Sequence, residues 1–146
     1  HVELEARHEI ELEKYIKKVQ IEARIMGELA TSHILPAALT YQNLLIQNIT
    51  GLKQVGLDDA SFANQRIILE KISQHINKVS ELVMAMIEAR KVCNKIEDTR
   101  EKAIAYDRDV KQAFFDQIRY HVDKLELLVG DQYWLLPKYR EMLFLR

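Results

Sequence analysis

Few residues in this chain are spaced for chemistry. Glu5 and His8 form its one E-x-x-H pair. A carboxylate-bridged di-metal centre needs two such pairs plus two further glutamates on facing helices. A single pair near the start of the chain is therefore read as chance, and a metal-storage bundle is set aside. His33, His75 and His121 fall in three different segments with no spacing that links them, so each is read as a seam or surface histidine and not as a ligand. Cys93 stands between apolar positions of a helical seam and reads as a small buried hydrophobe, not a nucleophile. Arg90 occupies a seam position that calls for an apolar side chain, where an arginine extends its head to water or meets a carboxylate. There is no glycine-rich phosphate loop and no paired-cysteine motif. On these residues alone the chain carries no catalytic, cofactor or metal site.

The composition describes the scaffold. The 146 residues include 21 basic and 22 acidic side chains, a formal net charge of −1, with both signs spread along the sequence. A nucleic-acid binder concentrates a basic face, and an electrostatic membrane module does the same; neither pattern is present. With 48% hydrophobic residues, four Gly and two Pro, the chain is expected to be all-α with few loops. Cys93 is its one cysteine, which excludes an intrachain disulfide and points to a cytoplasmic setting. The longest stretch without Lys, Arg, Asp or Glu is Leu29 to Leu52. It holds too many polar residues, from Thr31 to Asn48, for a membrane span. The sequence begins in helical periodicity with neither Met nor a capping residue, so a fragment of a larger protein is expected.

The elements follow from periodicity. Ile16, Val19, Ala23, Met26 and Ala30 recur at three- and four-residue steps, which marks one helical face, and Leu12, Ile21, Ile25 and Leu29 are expected to widen it. The pattern runs from about residue 3 to 53, with a kink expected at Pro36, which lacks a backbone donor and crowds the carbonyl of Ser32. A straight helix of that length would reach about 75 Å. A second helix is expected over 59–105, begun by Asp58 or Asp59, with the seam Leu69, Ile72, Ile76, Val79, Val83, Met86, Cys93 and Ile96. Glu97-Asp98-Thr99 offers a cap, but the periodicity persists through Ile104, so the turn is placed at Tyr106–Asp109 and a third helix over 109–129, stopped by Gly130. Pro137 opens a short helix over 137–144. The fold expected is an elongated antiparallel helical bundle, a single domain over 1–146, with a long Pro-kinked first helix and a short C-terminal one.

One stripe of the first long helix carries neutral hydrogen-bonding residues, His33, Thr40, Asn43, Gln47, Thr50 and Gln54. A solvated face normally carries Lys and Glu. The stripe is either a semi-exposed polar seam of the bundle or a surface enclosed by a partner.

Leu4 to Leu45 resembles the start of the C-terminal helical domain of bacterial type III glutamine synthetases. Glu13-Lys14-Tyr15, Gln20, Glu22, Ala30-Thr31, His33-Ile34 and Pro36 fit that family, as do Ile118 to Val129 and a tail of Trp134, Pro137-Lys138-Tyr139-Arg140-Glu141 and Leu143-Phe144. The likeness covers nearly the whole chain and is thinnest between Gly51 and Phe62. Gln112 departs from it, since a Pro is common there. The resemblance implies a parent ligase that condenses glutamate with ammonia, using ATP and Mg²⁺ or Mn²⁺, in large double-ring homo-oligomers. None of that family's metal, ATP or glutamate ligands matches this stretch, so no catalytic, cofactor or metal residue is assigned here. The implied partners are the catalytic domain of the same chain and neighbouring subunits. Candidate docking and assembly residues are His33, Asn43, Gln47, Trp134, Leu135, Pro137, Tyr139 and Phe144. The competing reading is a stand-alone interaction or sensor module whose groove takes a partner helix. In that case Trp134, Leu135 and Leu136 would cover the bundle's own core; in an enzyme appendage some of them would stand exposed.

Overall fold

A computed structural model of the chain describes residues 2–134, with side chains from residue 4. Among them are helices and helical turns and no strand, so the chain is all-α. Helix α1 runs Val2–Leu29, a π-turn covers Ala30–Ile34, and α2 runs Leu35–Gln54. A 3-10 turn over Asp59–Phe62 leads into α3, Ala63–Asn94. After a short break α4 spans Thr99–Ala105, a π-helical stretch spans Tyr106–Phe115, and α5 spans Asp116–Leu128, followed by a 3-10 turn over Asp131–Tyr133. The helix expected over 137–144 lies outside the described residues.

Pro36 is accommodated in a way its sequence position did not reveal. It falls in the first turn of α2, directly after the π-turn, where the Leu35 amide reaches back five residues to the Ala30 carbonyl. The wider turn makes room for the ring, and helical hydrogen bonding resumes beyond it. Thr40 Oγ1 donates to the Pro36 carbonyl at 2.9 Å.

The boundary between the second and third long helices differs from the expected one. The chain leaves the helix at Asn94, and the Asp98 carboxylate caps α4 by accepting from the Glu101 amide at 3.0 Å. Glu97-Asp98-Thr99 is therefore the true break, and Tyr106–Asp109 is helical throughout. The apolar steps continue through Ile104 because α4 is itself amphipathic, so periodicity alone could not mark the gap. In the same stretch Phe115 is buried and Phe114 half-buried. The core positions Tyr106, Val110, Phe115 and Ile118 include a five-residue step, which is the signature of π hydrogen bonding.

The chain forms two compact units: one is His1–Glu28 with Glu81–Arg119, the other Leu29–Ser80 with Tyr120–Arg146. In the first, Gln20 of α1 meets Asn94, and Gly27 lies against Val83 and Met86, so α1 runs antiparallel to the end of α3. Glu9 pairs with Thr99 and Tyr15 with Asp107, so α4 and the π-helical stretch run alongside α1 in the same direction. Ile16, Val19, Ala23, Val83, Met86, Tyr106, Val110 and Ile118 fill the core. Ile21 and Ile25 are about half exposed, so the buried face of α1 is narrower than its sequence suggested.

In the second unit α2 and α3 are antiparallel. The Lys53 ammonium stands over the Phe62 ring at 5.6 Å, and Gln42 donates to Ser73 at 2.5 Å. Ala38, Leu45, Phe62, Ile72, Val79, Leu125 and Val129 are its core. Gly130 follows α5 with φ −60 and ψ 142, not the left-handed conformation of a usual glycine stop. Its smallness serves packing instead: an added Cβ would stand 3.1 Å from Tyr41 Cε1.

Candidate functional site

Glu5 and His8 are exposed and line a shallow groove with Glu9, Leu12, Asp98 and Thr99 in the first unit. Thr99 Oγ1 donates to Glu9 at 3.1 Å across it. Among the described residues no three His, Cys, Asp or Glu side chains come together in a metal-binding arrangement.

The centre of the first unit holds two polar clusters the sequence did not announce. The Tyr15 hydroxyl donates to Asp107, whose other oxygen accepts from Gln112 at 2.6 Å, and the Lys111 ammonium lies 5.8 Å from the Tyr15 ring centre. Burial first, then the hydrogen bond to Asp107 and the charges of Asp107 and Glu22, push the Tyr15 hydroxyl up to about 12. One turn away the buried Tyr106 hydroxyl donates to Asn94 and accepts from Gln20 at 3.1 Å, while Gln20 also reaches Asn94 at 3.2 Å. These groups bridge α1, α3 and the π-helical stretch. A phenol kept protonated and a satisfied amide pair fix position and offer no nucleophile. Arg90 is half-buried with its Nε shielded and without a hydrogen-bond partner. Cys93 is a buried free thiol that burial pushes up, against nucleophilic use.

In the second unit His75 of α3 and His121 of α5 face each other, Nδ1 to Nδ1 at 2.9 Å, with ring centres 5.2 Å apart. The Tyr120 ring meets His121 edge-on at 4.9 Å and His75 at 6.5 Å, with Lys124 5.4 Å above it. Both imidazoles are half-buried and both titrate below the ordinary histidine value. For His75 burial leads, followed by His121, Lys124 and Lys71; for His121 burial leads, followed by Lys78. The 46-residue separation hid this pair. One signal was available: each histidine sits on an apolar seam, beside Ile76 and Val122 respectively.

The candidate docking residues divide between surface and core. His33, Asn43 and Gln47 are exposed, together with Thr40, Thr50 and Gln54 of the same neutral stripe. Leu39, Leu44 and Ile46 are 40–46% exposed among them. Trp134 is 9% exposed and closes the core of its own unit. Leu135, Pro137, Tyr139 and Phe144 lie outside the described residues. No helix among the described residues is long and apolar enough to cross a membrane.

The chain is similar to proteins of one family. Residues 1–53 match the family model described as glutamine synthetase C-terminal domain. Over 97% of its length the chain is 43% identical to a glutamine synthetase of Bacteroides fragilis, and over 99% it is 30% identical to a type-3 glutamine synthetase of Dictyostelium discoideum. A glutamine synthetase of Butyrivibrio fibrisolvens is 28% identical over 97% of the chain. In each case the chain spans only 20% of the relative's own length.

Proposed function

We propose a role that starts from family membership: the chain belongs to the glutamine synthetase C-terminal domain family, and it serves a parent ligase as a non-catalytic assembly domain. The parent joins glutamate and ammonia at the expense of ATP, with Mg²⁺ or Mn²⁺, in the cytoplasm. Its ATP, metal and glutamate ligands belong to the remaining part of that protein. This domain supports the homo-oligomer, or the placement of catalytic domains within it, through contacts with its own catalytic domain and with neighbouring subunits.

The observation that carries the assembly role is the outer face of α2. Between Leu29 and Leu52 there is no Lys, Arg, Asp or Glu, yet Leu39, Asn43, Leu44, Ile46 and Gln47 of α2, and His33 in the turn before it, are all exposed. Water favours Lys and Glu on such a face. Interface cores are depleted of exactly those charges and combine apolar contact with neutral hydrogen bonding. The face therefore suits a protein surface better than bulk solvent.

Two experiments on the full-length protein test this. Removing the domain should break the assembly and lower synthetase activity, as read by sedimentation and glutamine formation. The double substitution Leu39→Glu and Ile46→Glu should weaken assembly while leaving helix content unchanged. If ring assembly and activity both persist without the domain, the assembly role is wrong. A stand-alone interaction module is favoured by one observation, the burial of Trp134 in its own unit. It predicts that no synthetase core adjoins the domain and that the chain alone binds a separate helical partner.

A further inference from the structure

We propose that His75 and His121 form a proton-sensitive clasp, holding α3 to α5 while at most one imidazole is charged and releasing it when both are. The geometry sets the rule. Two Nδ1 atoms at 2.9 Å share one hydrogen, so one ring donates from Nδ1 and the other accepts there with its lone pair. The first added proton goes to the free Nε2 of the donor ring. The donor becomes an imidazolium that still donates, now in a charge-assisted bond. The second proton has to take the acceptor's Nδ1 lone pair. Then N–H faces N–H, two positive charges meet, and the bond is gone.

The surroundings sharpen this response. On α3, Lys71 and Lys78 stand four residues before and three after His75; on α5, Lys124 stands three after His121, all on the helical sides that carry the pair. Glu70, Asp123 and Glu126 lie two or five residues from the histidines, off those sides. The remaining helix of the unit, α2, brings no charged residue between Leu35 and Leu52. Among the described residues the cations Lys71, Lys78 and Lys124 are the charged side chains that act on the two imidazoles, and Tyr120 presents ring edges and faces to both. Burial and the neighbouring cations hold both groups below 6.5. Below that pH the unfolded chain binds more protons than the folded one, so stability in this unit is complete above 6.5 and falls as pH falls.

Hydrogen–deuterium exchange on the full-length protein, read by mass spectrometry, tests the clasp. Exchange at the imidazole C2 positions reports the titration of each histidine. Amide exchange in peptides covering 71–79 and 120–128 reports opening. Both histidines should titrate below the ordinary histidine value, and amide protection, corrected for intrinsic rates, should drop about tenfold with the second step. The variant His75→Asn/His121→Asn keeps a donor and an acceptor near the Nδ1 positions and cannot titrate; it should stay protected throughout. Protection that ignores the second titration step in the wild type overturns the proposal, whether or not the variant folds. So does an equal loss of protection in the double-Asn variant.

Discussion

The Tyr15 hydroxyl is the side chain whose removal should be most informative. It donates to Asp107 from a half-buried position between helices. Tyr15→Phe keeps the ring and leaves Asp107 with Gln112, so urea denaturation should show a loss of about 1.5–3 kcal/mol, the range for a hydrogen bond to a charged group. The hydroxyl's raised value gives a second readout. The folded chain keeps the Tyr15 proton between pH 10.0 and about 12, where the unfolded chain has lost it, so wild-type stability declines across that window. The Phe variant should decline less. At this scale the sequence was only partly legible. Ile16, Val19, Ala23, Ile72, Ile76, Val79 and Val83 could be placed in the core from spacing alone, and they are buried. The His75–His121 and Tyr15–Asp107 pairs could not, because each joins residues far apart in sequence, and their meeting depends on helix register that apolar spacing does not set.

Individual elements owe their ends to single residues. Asp98 caps α4 through the Glu101 amide, so Asp98→Ala should cost about 1 kcal/mol, measured by chemical denaturation. Two glycines separate backbone entropy from packing. Gly51 lies in α2 with nothing within 4 Å of an added Cβ, so Gly51→Ala should stabilise by about 0.5–1 kcal/mol. Gly130→Ala has no conformational penalty at φ −60 but drives its Cβ against Tyr41; it should destabilise by about 1 kcal/mol unless the ring shifts. Thermal melts of the two variants should therefore move in opposite directions. Element types were readable because helical periodicity is strong throughout. The break at 95–98 was not, since four residues of loop hardly disturb a pattern that α4 resumes almost in phase.

For the whole chain, the uncharged outer face of α2 has a colloidal consequence. Produced without the rest of a parent protein, the chain leaves Leu39, Leu44 and Ile46 in water with no charge beside them to oppose contact. Sedimentation velocity should show self-association that rises with concentration, and Leu39→Glu/Ile46→Glu should abolish it. The all-α class and family were legible in the sequence, the first from composition and the second from motifs such as Glu13-Lys14-Tyr15 and Ala30-Thr31. The division into two units was not, because it cuts through α3 and α5 where no Gly or Pro marks a boundary. The π-helical stretch over Tyr106–Phe115 has a further consequence, for chain length. A wide turn holds one residue more than an α turn spanning the same path. Losing a residue here would let the backbone tighten to α geometry and keep both flanks facing as they do. The same loss within α3 would rotate everything beyond it by about 100° and turn a buried seam toward water. Between Thr99 and Leu128, loss of a residue is therefore cheapest in this stretch.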